Sequence, residues 1–270
     1  RPDRCVDVAD RGLQYGDGLF ETIAVRGGRP CLWRAHIERL SAGASRLGIP
    51  MPPEPLLREE TQMLLDGQDA ATLKLILTRG SGPRGYHPPS TPRPVRILLR
   101  YPVTPDPNLW PRPGVAVRLC RTRLGANPAL AGIKHLNRLE QVMARAEWSD
   151  PGIAEGIMCD IDGALTCGTM TNLFLFRGIE LLTPRLDRAG VAGTVRSRVL
   201  LHARDLGIPC REARLSLDDL HRADGVLLTN ALGGCRAVTE IDGQALKADA
   251  LPADLLTRVQ RDVFEPEPDW

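Results

Sequence analysis

A chain of 270 residues with 43% hydrophobic positions is long enough to build two modest cores or one large one. Its 35 basic and 33 acidic residues leave a formal charge of +2 without long runs of either sign, which argues against nucleic acid or an anionic membrane as partner. No window has the length of a membrane span, and seven cysteines without a CxxC pair or zinc spacing predict a reducing compartment, no disulfide framework and no metal.

The opening Arg1-Pro-Asp-Arg-Cys5 has no apolar signal-type stretch, so a cytoplasmic location is expected. The 3.6-residue spacing of Ile37, Leu40, Ala44 and Leu47 predicts an amphipathic helix, closed by Gly48-Ile-Pro50. Apolar runs at 73–78 and 95–101 predict strands, giving an α+β first half. The stretch 102–114 carries five prolines, each fixing φ and withholding an N–H, and so cannot continue a helix or central strand. The expected division is therefore a small domain over 1–105, a linker over 106–114 and a larger domain over 115–270. Within the latter, 115–121 alternates as a strand, and 134–148 fits a helix with Leu136, Leu139, Met143 and Ala146 on one side. Strands are expected at 157–159, 172–176 and 225–229, and a helix at 195–206 before Gly207-Ile-Pro209.

Lys134 is a lone lysine entering an apolar stretch. A lysine in a partly desolvated pocket becomes a nucleophile toward aldehydes and then a base, whereas a lysine at a helix start ordinarily buries its stem and keeps its ammonium in water. Its context is Ala131-Gly-Ile-Lys-His-Leu-Asn-Arg-Leu-Glu-Gln141. With it stand Asp10-Arg-Gly-Leu-Gln-Tyr-Gly-Asp-Gly-Leu-Phe-Glu-Thr22, His36-Ile-Glu-Arg-Leu40, Arg79-Gly-Ser-Gly-Pro-Arg-Gly-Tyr86, Arg188-Ala-Gly-Val-Ala-Gly-Thr-Val-Arg196 and Thr229-Asn-Ala-Leu232. In order and over nearly the whole chain, these blocks resemble the aminodeoxychorismate lyase branch of the fold type IV pyridoxal phosphate enzymes, relatives of the branched-chain and D-amino acid aminotransferases.

The resemblance implies a two-domain α+β fold, with a small N-terminal α/β domain and a larger barrel-like C-terminal domain, assembled as a homodimer in the cytoplasm. It implies pyridoxal 5'-phosphate as cofactor, Lys134 on its aldehyde, and Arg39 with Gly193, Thr194 and Val195 on its phosphate; Asn230 and Ala231 would add contacts there. A guanidinium fork suits a phosphate dianion, and glycine before a helix lets N–H groups and the helix dipole meet an anion. Alone, Arg39 reads as a solvated helix arginine and Gly193 as a turn. Arg79 and Arg84 would grip a substrate with two carboxylates, while Tyr15, Glu21 and Thr22 would line its side of the cofactor.

One position departs from the pattern: Cys167 stands where the family has a glutamate that keeps the cofactor's ring nitrogen protonated. A thiol near its reference pKa of about 8.5 is a poor counter-ion. A weakly active enzyme, a thiolate in the carboxylate's role and a divergent cofactor-binding relative all fit this substitution. The expected activity is a lyase reaction yielding 4-aminobenzoate and pyruvate, with amino-group transfer as the alternative.

Overall fold

The protein is described by a computed structural model covering residues 5–103, 114–246, 250–267 and 270. The expected linker, 106–114, lies outside the described residues except for Gly114. The chain divides into two compact units, one of Arg1–Val103, Ile133–Asn137 and Pro266–Trp270, the other of Thr104–Gly132 and Arg138–Glu265. A single cut near residue 105 therefore misassigns 133–137 and the C-terminal residues.

The first unit contains α1 (Arg11–Tyr15), β1 (Gly18–Arg26), β2 (Arg29–Pro30), α2 (Trp33–Leu47), α3 (Glu54–Leu65), β3 (Ala71–Thr78) and β4 (Val95–Tyr101). Its antiparallel sheet runs β2-β1-β3-β4. Alternation along β1 buries Leu19, Glu21, Ile23 and Val25, and the apolar ones pack with Trp33, Leu40 and Ala44 of α2. The opposite face, with Phe20 and Thr22, stays half-buried. As expected, α2 ends at Gly48, whose φ of 63° allows its amide to reach the Ala44 and Ser45 carbonyls.

Because β2 has only two residues, it covers β1 only at Val25 and Arg26. Toward the start of β1 the same ladder pattern is supplied from far along the chain. The Phe20 N–H donates to the Lys134 carbonyl at 3.1 Å, the Leu136 N–H donates to Gly18 at 3.0 Å, and Leu19 bridges His135. Gly18 is needed at this crowding, since a Cβ there would lie 2.5 Å from the Leu77 carbonyl oxygen. Lys134 thus sits in an extended segment, and the helix expected from it begins only at Leu139. Long-range pairing has overridden the local apolar period, and Leu139 and Met143, expected on a packed side, are exposed.

The second unit contains β5 (Val115–Leu119), α4 (Leu139–Arg145), β6 (Ile153–Cys159), β7 (Leu165–Gly168), β8 (Asn172–Arg177), β9 (Glu180–Pro184), α5 (Thr194–Asp205), β10 (Cys210–Ala213), α6 (Leu217–His221), β11 (Gly225–Asn230), β12 (Gly234–Ile241), β13 (Gln244–Ala245) and α7 (Ala253–Phe264). Its mixed sheet runs β10-β9-β8-β11-β12-β5-β6-β7, with β13 on β12. The end strand β7 returns against β8 and β9, so the sheet curls into the expected barrel-like form. Ile157, Leu173, Leu175, Val226, Leu228 and Val238 belong to its core. Among the described residues no helix is long and apolar enough to cross a membrane.

Candidate active site

Pairing with β1 fixes the backbone of Lys134, and its ammonium lies 4.2 Å from the centroid of the Phe20 ring. Behind the sheet, the buried Glu21 carboxylate receives Arg39 through Nε, at 2.9 Å from Oε1, and through Nη2 on Oε2; His36 Nδ1 lies 2.6 Å from that same Oε2. Burial alone would raise the Glu21 carboxyl, but Arg39 and His36 outweigh it and hold the group at about 2. For His36, burial is the largest influence and lowers its pKa; Glu21 opposes this, while Arg39 and Lys134 add to it. Both His36 Nδ1 and the Arg39 fork thus favour the ionised Glu21 carboxylate.

Glu21, expected to line the substrate side of the cofactor, is buried and orients Arg39. Arg79 is likewise committed elsewhere. Its Nε and Nη2 clamp Asp17 at 2.7 and 3.0 Å, while Nη1 and Nη2 donate to the Gly48 and Leu47 carbonyls at 2.8 and 2.7 Å. Arg79 is buried, and these bonds tie its fork to Asp17 and the end of α2. The other expected gripping residue, Arg84, is exposed on the following loop.

That loop is held by Arg11, which the sequence reading passed over. Arg11 binds Asp17 at 2.8 Å and the Gly85 and Tyr86 carbonyls at 2.9 Å each. Tyr15 packs edge-on against Tyr86 with centroids 5.3 Å apart, so it also supports the loop. Thr22 is half-buried on the Phe20 face, opposite Lys74 in the ladder.

In the second unit, α5 starts after Gly193 with no side chain capping it, so the amides of Thr194 and Val195 have no intrahelical acceptor. The approach is cut to fit: Asn172 Nδ2 donates to the Val191 carbonyl at 2.8 Å, and a Cβ at Gly193 would lie 2.0 Å from Asn172 Oδ1. Directly opposite Asn172 in the ladder stands Thr229, whose buried hydroxyl has no hydrogen-bond partner among the described residues. Bare helix amides, a glycine cradle and an orphaned hydroxyl fit an anion such as phosphate. Thr229 was missed as a site residue, although it begins the quoted Thr229-Asn-Ala-Leu232 block. Asn230 spends its side-chain oxygen on the Leu232 and Gly233 amides at 3.1 and 2.6 Å, shaping the turn that carries Ala231.

Cys167 is buried in a small cluster with Cys120, Leu124, Trp148 and Met158. Burial, with the Glu155 carboxylate adding to it, pushes its thiol up to about 12 against the opposing pull of Arg138. This environment disfavours the thiolate and favours the neutral thiol. Glu155 does not replace the missing carboxylate on that face. Cys167 pairs with Met158 and Gly168 with Ile157, so Glu155 shares the Gly168 side, where it nearly touches that glycine. It is occupied there, accepting from the Gly156, Thr169 and Met170 amides at 2.9, 3.0 and 3.1 Å, and so fastens the turn that leads into Asn172.

This fold and these residue groups define a class. The sequence profile described as amino-transferase class IV matches residues 18–241, and the chain belongs to that family. Within it, the chain is 35% identical over 257 residues to the aminodeoxychorismate lyase of Vibrio harveyi, covering 95% of this chain and 94% of that protein. It is 29% identical over 263 residues to the D-alanine aminotransferase of Bacillus licheniformis, covering 96% and 91%. Among solved structures, the 4-amino-4-deoxychorismate lyase from Pseudomonas aeruginosa matches with a TM-score of 0.88 at 43% identity, covering 97% of this chain and 96% of that one.

Proposed function

We propose that the chain converts 4-amino-4-deoxychorismate to 4-aminobenzoate and pyruvate, a carbon–oxygen lyase step of folate biosynthesis, with pyridoxal 5'-phosphate as cofactor. The observation that carries this reading is Lys134, a half-buried lysine held by β1 with its ammonium on an aromatic face, in a chain whose lyase relatives match over nearly its full length. When bound, the cofactor supplies an electron sink for bond breaking beside the substrate amine.

The chain's own groups do the rest. Lys134 would hold the cofactor's aldehyde and would serve as the base for the proton on the amine-bearing carbon of the substrate. The Thr194 and Val195 amides behind Gly193, with the Thr229 hydroxyl, would hold phosphate, and Arg39, oriented by Glu21, remains a candidate cation for the cofactor. Arg84 remains a candidate for a substrate carboxylate, and Thr22 a lining residue. The reading includes a homodimer in the cytoplasm, and sedimentation of the purified protein checks the dimer.

The test is pyruvate release from 4-amino-4-deoxychorismate by the cofactor-loaded protein. No pyruvate, together with pyridoxamine phosphate accumulating on addition of D-alanine without acceptor, would replace this reading with an aminotransferase. The D-alanine aminotransferase relative is what keeps that second reading in play.

A further inference from the structure

We propose that Arg196 is a positioning residue for the cofactor phosphate, a buried cation whose field strengthens the anion site at the start of α5. The proposal rests on the phosphate cup of the reading above and adds to it a charge that lies outside the amide cradle.

Arg196 is the third residue of α5, and no acidic residue stands in that first turn. A helix start carries partial positive charge, so it favours anions and disfavours a cation beside it. Burial adds to the cost: Arg196 is buried, and its Nε has no hydrogen-bond partner among the described residues. Its Nη2 donates to the Pro184 carbonyl at 3.2 Å and meets the Glu212 carboxylate at 2.8 Å. The Glu212 side chain is 49% exposed, so water screens much of its charge while the arginine stays inside. The arginine also leaves the helix beside the cradle, since a Cβ on Gly193 would lie 3.5 Å from the Arg196 Cβ.

The uncapped amides of Thr194 and Val195 and this guanidinium thus gather positive potential at one helix end. Stability alone would favour a capping side chain or an acid there. Local rules broken together mark functional sites, and a phosphate ester, with a charge of about −1.5 to −2 at neutral pH, answers both departures at once. The rival role for Arg196 is a tie from α5 to β9 and β10. The two roles differ in the sign of what Glu212 does. In a tie, Glu212 supports the arginine; beside a bound phosphate, it competes for the arginine's field.

Equilibrium binding of pyridoxal phosphate and of pyridoxal to the full chain, with the ratio of the two affinities as readout, separates these roles. Wild type should prefer the phosphate form. Arg196→Met should lower that preference about tenfold, the scale of a unit charge acting across a protein interior, and Arg196→Lys should keep most of it. Glu212→Gln should raise the preference about twofold to fivefold, a smaller change because the carboxylate is half-exposed. The Glu212 variant decides even if Arg196→Met fails to fold, because a half-exposed carboxylate can be neutralised without opening the core. A preference that Glu212→Gln lowers or leaves unchanged would overturn the proposal and leave Arg196 as a tie. Equal binding of the two forms by wild type would remove the phosphate cup itself and this proposal with it; a wild-type preference untouched in both neutral variants defeats the proposal alone.

Discussion

Lys134 is one of three lysines in the chain, with Lys74 and Lys247, so covalent trapping identifies the cofactor lysine without ambiguity. Borohydride reduction of the loaded protein should place the adduct on Lys134, and Lys134→Ala should abolish both the adduct and the cofactor's visible band. An adduct mapped to Lys74 or Lys247 would remove Lys134 from its role. At Cys167 burial pushes the thiol up to about 12, so its ionisation should contribute no limb to the pH–rate profile. Cys167→Ser should keep the wild-type profile. Cys167→Glu should raise turnover, since Arg138 lies within electrostatic reach to receive the new carboxylate, and a fixed anion there would favour the protonated ring. Unchanged kinetics in a well-folded, fully loaded Glu variant would mean that residue 167 does not serve the ring nitrogen.

At the scale of elements, the start of α5 depends on a contact between β8 and the loop before the helix. Gly193→Ala would drive a methyl into Asn172 and break its hold on Val191. Thr229→Val keeps the shape but deletes the orphaned hydroxyl. Both should weaken pyridoxal phosphate binding, the second by about 1.5 to 3 kcal/mol for a hydrogen bond to a charged group, while pyridoxal lacking phosphate should be affected far less. Equal losses for the two cofactor forms would place the phosphate elsewhere. The α5 helix was legible because a glycine, a periodic run and a closing Gly-Ile-Pro all agree locally, as they do for α2. The Lys134 segment was not: its conformation is set by β1, more than a hundred residues earlier, while its apolar period imitates a helix. The commitments of Arg79 and Glu21 were hidden for the same reason, since Asp17 and His36 become their partners only once strand, helix and loop are assembled.

For the first unit as a whole, Glu21 ties a strand to a helix through a buried charge, which makes its folding sensitive to acid. The folded carboxyl, held at about 2, lies below its ordinary 4.5, so the unfolded chain takes up this proton first. The stabilisation is fully present above pH 4.5 and is lost as pH falls from there through about 2. Glu21→Gln should remove that dependence and also delete the charged partner of the Arg39 fork, costing about 3 to 5 kcal/mol at neutral pH, as when one partner of a buried pair is deleted. Urea unfolding of wild type and Glu21→Gln at pH 7, 4.5 and 3 tests both statements, because other carboxylates titrate alike in the two proteins and cancel in the difference. The gap between them should be widest at pH 7 and narrow at pH 3. A constant gap would mean that Glu21 contributes through packing rather than charge, and the orientation of Arg39 would not depend on the Glu21 charge.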